Sequence, residues 1–307
     1  MRSPRTTFWI SVAGAAALMG CGEGVMGGPG GPGGQGGSAS GTGGTGGGGF
    51  PPDPEGEVVF NGDFETGDLE QWAYIERCAN DRIQVYSTAN APAGAPPPRE
   101  GKYAVRFRVL DSDVEPCTSS ENPRAELETP EELFKPGDDR WEAWSMYIPA
   151  NTPEPLCGAC VDRGWFVIQE DYGAPFDGSP SIGWNLDFTT APHTFRMDRG
   201  EQYNHDQPGI VSMIKGRWID LLVHKKFANT ASGGGFVEAW VDGTPITFKA
   251  SGCNNCTRLM TQTMHSSQRQ VGFYLLAYRE RGYFETFDIY YDAVRIGTTR
   301  DAVELLR

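Results

Sequence analysis

The run from Gln270 to Gly297, QVGFYLLAYRERGYFETFDIYYDAVRIG, sets aromatic and charged side chains where they could face one groove and move a proton. Strand alternation puts Gln270, Gly272 and Tyr274 on one face and Val271, Phe273 and Leu275 on the other. The second set is wholly apolar and belongs to a core. The first therefore faces a groove, where Gly272 lets a ring approach the sheet and the Tyr274 phenol could deliver or take a proton. The histidine bases on offer are His193, His205, His224 and His265. His224, inside the strand-like LLVHKKF, reads as structural, whereas His193 and His205 lie in a polar stretch able to fold over a groove. Glu170-Asp171, Asp187 and Glu126 could supply the two carboxylates that glycoside hydrolysis needs. No serine elbow or thiol motif supports nucleophilic catalysis.

These groups need a sheet to hold them. Val271 to Tyr278 is apolar and aromatic throughout, as a strand covered on both faces would be. In Thr286 to Ile296, Phe287, Ile289, Tyr291, Ala293 and Ile296 roughly alternate with Asp288, Tyr290, Asp292 and Arg295, which suits an antiparallel strand. The polar turn Arg279-Glu280-Arg281-Gly282 between them makes the stretch read as a hairpin closing a sandwich. Upstream, YAVRFRVL puts Tyr103, Val105, Phe107 and Val109 on one face. Ile182 to Phe188 puts Ile182, Trp184, Leu186 and Phe188 on one face, with Asn185 and Asp187 opposite. FVEAWVDGTPITF sets Asp242-Gly243 between two β-rich runs, the pair a type I′ hairpin requires. No long helical period occurs, so the expected fold class is all-β, a jelly-roll sandwich of two antiparallel sheets.

The chain has 307 residues and a formal net charge of −14. That balance argues against nucleic acid and anionic surfaces as partners, and against a strongly polyanionic substrate unless the groove is locally basic. Arg258, Arg269, Arg279, Arg281 and Arg295, crowded near the end, are candidates for such a patch. Residues 1–20 carry Arg2 and Arg5 and then an apolar run too short to span a bilayer, as a secretory signal does. The run ends Leu18-Met19-Gly20-Cys21, which resembles the bacterial lipobox and implies lipidation at Cys21. Residues 21–56 are Gly- and Pro-rich, have little to bury, and read as a flexible tether. Residues 57–307 then suit one large β domain. The expected protein is exported, monomeric, and attached to the cell envelope only through its lipid. The six remaining cysteines read as three disulfides, Cys78–Cys117, Cys157–Cys160 and Cys253–Cys256. Cross-links between the two close pairs, or a zinc site built from them, are the alternatives.

The ordered series NGDFETGDLEQW, RAEL at Arg124, WEAWSMYIP, FVIQED around Gln169, GRWIDLLVHKKF, FVEAWVDG and YYDAVRIG resembles the heparin lyase I-like and glucuronan lyase group of polysaccharide lyases, concanavalin-like jelly rolls, over nearly all of Val58 to Thr298. The resemblance implies a catalytic set of Arg124, Gln169, Asp171 and Tyr274. Gln169 stands at the family's Gln, Asp171 replaces its usual His, and Gln270 replaces its Lys. It implies β-elimination on a uronic-acid-containing glycan, with Arg124 and Gln169 facing the sugar carboxylate. Glu126, Asn185, Gln270 and Arg279 are the further candidates for substrate contact. Asp63, Glu65 and Asp292 resemble the paired segments that hold a structural calcium in related jelly rolls; no organic cofactor is implied. A binding module that has lost its base, and a glycoside hydrolase, are the competing readings.

Overall fold

Every second residue of Trp218 to Lys226 is buried, from Ile219 through Leu221 and Val223 to Lys225. This is the period of a strand with one face on a core, and the same period builds most of the molecule. The computed structural model describes residues 56–156, 165–173, 182–188, 192–201, 204–250 and 252–305. The expected signal, tether, Cys21, Cys157 and Cys160 lie outside the described residues. The strands are β1 (Val58–Gly62), β2 (Tyr74–Glu76), β3 (Ile83–Ser87), β4 (Tyr103–Leu110), β5 (Arg124–Glu128), β6 (Asp139–Tyr147), β7 (Phe166–Tyr172), β8 (Ile182–Asp187), β9 (Thr194–Glu201) and β10 (Asn204–Ser212). They continue with β11 (Trp218–Lys226), β12 (Phe236–Val241), β13 (Thr244–Pro245), β14 (Phe248–Ala250), β15 (Cys253–Cys256), β16 (Arg258–Met260), β17 (Gly272–Arg279) and β18 (Thr286–Gly297).

Among the described residues two antiparallel sheets form the sandwich. The front sheet has the order β10-β9-β8-β7-β17-β5-β2. The back sheet has the order β13-β12-β11-β6-β18-β4-β3, with β1 also paired to β18 and β16 to β12. The core lies between them: Trp184, Phe195, Phe273 and Leu127 from the front meet Trp144, Phe107, Tyr291 and Val223 from the back. Asp242 and Gly243 have φ of 51° and 76°, the left-handed pair that the Asp-Gly turn between β12 and β13 requires. Cys78 is bonded to Cys117 and Cys253 to Cys256, the pairings expected for those four.

The expected hairpin between the last two long strands does not form. β17 sits in the front sheet between β5 and β7, and β18 sits in the back sheet between β4 and β6. The intervening residues form an inter-sheet corner, and Arg279 pins it. Its fully buried guanidinium donates to Asp111 Oδ1 at 3.1 Å and to the Glu280 and Phe284 carbonyls, while Gly282 N donates to the same Asp111 oxygen at 2.6 Å. Arg279 is thus a corner anchor and not the substrate contact expected of it.

Candidate active site on the front sheet

β5 alternates Arg124, Glu126 and Glu128 outward against Ala125 and Leu127 in the core. β17 alternates Tyr274, Leu276 and Tyr278 outward against Phe273, Leu275 and Ala277 in the core. The register aligns them: Tyr274 lies opposite Glu128, and Tyr278 opposite Arg124. On the other side of β17, Tyr274 lies opposite Glu170 of β7. One row across the front face therefore reads Tyr74, Glu128, Tyr274, Glu170, Gly183, and a second reads Arg124, Tyr278, Val167, Asn185, Arg196.

The expectation that Gln169 and Asp171 converge with Arg124 on this face is corrected by the structure. β7 slips register against both neighbours at Ile168, between Val167 and Gln169 on the β8 side and opposite Leu276 and Ala277 on the β17 side. A one-residue slip inverts every side chain beyond it. Past Ile168 it is Gln169 and Asp171 that enter the core, while Glu170 and Tyr172 face out. Tyr291 of β18 braces the slip from across the core, its hydroxyl 2.6 Å from the Leu276 carbonyl and 3.3 Å from that of Ile168. Inside the sandwich Gln169 Nε2 donates to Asp171 Oδ1 at 3.0 Å, and Lys225 Nζ lies 2.7 Å from Asp171 Oδ2 and 2.7 Å from Glu142 Oε2. This charged group is sealed between the sheets, with Lys225 wholly buried, and reaches no substrate.

Tyr274 remains on the outer face, nearly buried among carboxylates. Burial, then the charges of Glu128, Glu131 and Glu126, together with a hydrogen bond to Glu128, hold its phenol above the ordinary tyrosine value. It is thus a proton donor at neutral pH. Glu170 is half-buried, and burial, opposed by Arg124 and reinforced by Asp171 and Glu128, pushes its carboxyl up to about 7. That value suits a group that takes a proton near neutrality. Burial, opposed by Arg124, also lifts Glu126 well above the carboxylate range. Arg124 lies 4.0 Å over the Tyr278 ring, with Nη1 3.4 Å from Glu126 and 3.5 Å from Glu76. Asn185 is on the same face, its carboxamide free of hydrogen bonds among the described residues. Gln270 lies half-buried just before β17.

The described histidines have partners of their own. His224 is on the outer face of the back sheet, stacked 4.0 Å from Trp141, with its ring nitrogens 2.8 Å from Glu238 and 2.6 Å from Asp139. His265 pairs with Ser267, and His193 with Glu154. The side chain of His205 lies outside the described part. The carboxylates expected to bind calcium are engaged by the chain's own donors: Asp63 by Asn61 and Glu65 N, Glu65 by the Lys102 and Tyr103 amides, and Asp292 by the amides of Arg99, Glu100 and Ala293. Among the described residues no three His, Cys, Asp or Glu side chains gather as metal ligands. Glu128 and Tyr278 were absent from the expected site. Continuing the alternation of Arg124-Ala125-Glu126-Leu127 by two residues finds Glu128.

The front sheet of this jelly roll carries the Glu128–Tyr274–Glu170 row on its outer face. The family model described as polysaccharide lyase matches residues 64–295, and the chain belongs to that family; it is a polysaccharide lyase. No curated protein matches the sequence. Among solved structures, the endo-β-1,4-glucuronan lyase of the fungus Trichoderma reesei is similar over 80% of this chain and 98% of its own, at 14% identity and a TM-score of 0.55. The marine alginate lyase of Aplysia kurodai is similar over 80% and 98% at 11% identity, TM-score 0.45. The catalytic domain of a glycoside hydrolase family 131 protein from Coprinopsis cinerea is similar over 81% and 98% at 11% identity, TM-score 0.49.

Proposed function

We propose that this lyase cleaves a uronic-acid-containing glycan by β-elimination on the outer face of the front sheet, and that Cys21 anchors it by lipid to the envelope of the exporting cell. The carrying observation is the Glu128–Tyr274–Glu170 row, which sets a proton donor beside a carboxylate poised near neutrality. In the reaction Glu170 takes the proton from the carbon next to the sugar carboxylate. The electron pair forms the new carbon–carbon double bond, the bond to the linking oxygen breaks, and Tyr274 protonates that oxygen. Glu128 accepts the phenol's hydrogen bond beforehand and orients it. Asn185 and Arg124, which share the second row, donate toward the sugar carboxylate and so stabilise charge that develops as the proton leaves. Both the lyase family and the two carboxyl groups flanking one phenol support this reading.

The test is to incubate the protein with a panel of uronans and follow the ultraviolet absorbance of unsaturated sugar ends. Tyr274→Phe removes only a proton-transfer hydroxyl. It should therefore lower kcat by about 10²–10⁴-fold and leave binding largely intact. An unchanged kcat in Tyr274→Phe would overturn the assignment.

A further inference from the structure

The front face carries many carboxylates, and Arg124 and Arg196 on it are each shared with acidic neighbours. Glu76, Glu126 and Glu128 line it on the β2–β5 side, with Glu131 close enough to perturb Tyr274. Glu170, Asp187 and Asp198 line it on the β7–β9 side. Of the guanidinium groups described on this face, Arg124 is held by Glu76 and Glu126. Arg196 is held by Asp187 and by Asp198, the latter at 2.9 Å. Three of the arginines near the end of the sequence are engaged away from this face. Arg258 is bound to Glu238 on the back sheet, Arg279 is sealed in its corner, and Arg295 is bound to Glu100. Arg124 and Arg196 sit at one level of the sheet, four strands apart, on the order of 19 Å at the usual strand spacing. That span covers several sugar rings. A polymer with a carboxylate on every ring would lay charges beside Glu128, Glu170 and Asp198 on the same face.

We propose that the substrate is a mixed glycan in which an isolated uronic acid is flanked by uncharged sugars, and that the acidic lining of the front face rejects homopolymeric uronans. The proposal rests on the β-elimination reading of the same face. The isolated carboxylate has Arg124 and Asn185 to meet it, and the neighbouring uncharged rings meet carboxylates as hydroxyl donors. A continuous polyuronate meets the same carboxylates as like charges at close range, repelled most where salt is low.

Binding and elimination are read separately. The protein bearing Tyr274→Phe is titrated with a gellan-type glycan, one glucuronate among neutral sugars, and with polyglucuronate and alginate. The expected result is at least about tenfold tighter binding to the mixed glycan at low salt. The gap should narrow as ionic strength rises, because screening shortens the reach of the lining charges. Glu131→Gln in the same background should narrow it as well, by improving homopolymer binding more than mixed-glycan binding. Equal or tighter homopolymer binding at low salt, binding of homopolymers that weakens as salt rises, or binding to neither class overturns the proposal. Unsaturated ends from the unsubstituted protein are scored independently. Preferential mixed-glycan binding without such ends would refute the elimination mechanism while supporting the charge selection.

Discussion

Glu142→Gln should make the protein more stable, and increasingly so as pH rises. Lys225 is the single cation facing two carboxylates inside the sandwich, 2.7 Å from each. Asp171 has a second donor, Gln169 Nε2 at 3.0 Å. Glu142 has none, and its Oε1 lacks any hydrogen-bond partner. One positive charge balances one carboxylate, so Asp171 is the ionised member and Glu142 keeps its proton. Burial raises the Glu142 carboxyl, Lys225 pulls it down and Asp171 adds to the rise, leaving it at about 8. In the unfolded chain a glutamate titrates near 4.3. Between those values the folded state holds a proton that the unfolded state has released. Stability from this group is therefore complete below about pH 4 and is lost as pH climbs toward 8, at about 1.4 kcal/mol per pH unit.

Over pH 5 to 8 that amounts to about 4 kcal/mol, a large fraction of the stability of an ordinary domain. Gln cannot ionise and matches the shape of protonated Glu, so the variant should lose this slope and keep the Lys225–Asp171 pair. Thermal and denaturant unfolding across that range should show the wild-type and Glu142→Gln curves diverging toward alkaline pH. For a chain of this size each kcal/mol is worth about 2–4 °C in Tm. Parallel curves would refute the reasoning, as would a variant less stable at every pH, because either result means that Glu142 is ionised in place. Lys225→Met offers the opposite perturbation and should cost about 3–5 kcal/mol, since it strands Asp171 without a counter-ion.

Glu170→Gln should lower kcat by about 10²–10⁴-fold and abolish the rise in rate expected of the wild-type enzyme as pH passes about 7, where Glu170 should gain its charge; pH–rate profiles of the two proteins check this. Replacing Cys78 and Cys117 by Ser opens a link between residues 39 apart and should cost about 4 kcal/mol in denaturant unfolding. Replacing Cys253 and Cys256, only 3 apart, should cost about half that or less by the same measurement. Cys21→Ser should move the protein from the detergent phase to the aqueous phase on partitioning, or halt its processing.

The alternating runs were legible because their period is set by burial on one face: Val105 and Phe107 in β4, Trp184 and Leu186 in β8, and the Asp242-Gly243 turn all read directly. The outward face of Tyr274 was legible for the same reason, whereas Arg124 was singled out by the resemblance of its RAEL segment. The false hairpin had a different origin. β17 and β18 are each a good strand, and nothing in either run says whether the corner between them folds back within a sheet or crosses to the other one. Asp111, which receives Arg279 there, is 168 residues away along the chain. The misplaced Gln169 and Asp171 come from the slip at Ile168, which needs no glycine or proline to mark it. It is stabilised instead by the Tyr291 hydroxyl from the facing sheet, a contact spanning 123 residues to Ile168.

The position of β18 also governs when the domain can fold. It is the last of the described strands and sits in the interior of the back sheet, between β4 and β6, with the first of them, β1, paired along it. Until those residues have been synthesised, β3–β4 on one flank and β6–β11–β12 on the other have no strand to join them. Each presents an open edge of unpaired N–H and C=O groups. Assembly of the back sheet must then wait for β18, and its long-range pairings make it slow. The arrangement makes β18 a checkpoint: a product terminated before it cannot close its sheet and is left with the sticky edges that proteases and chaperones recognise.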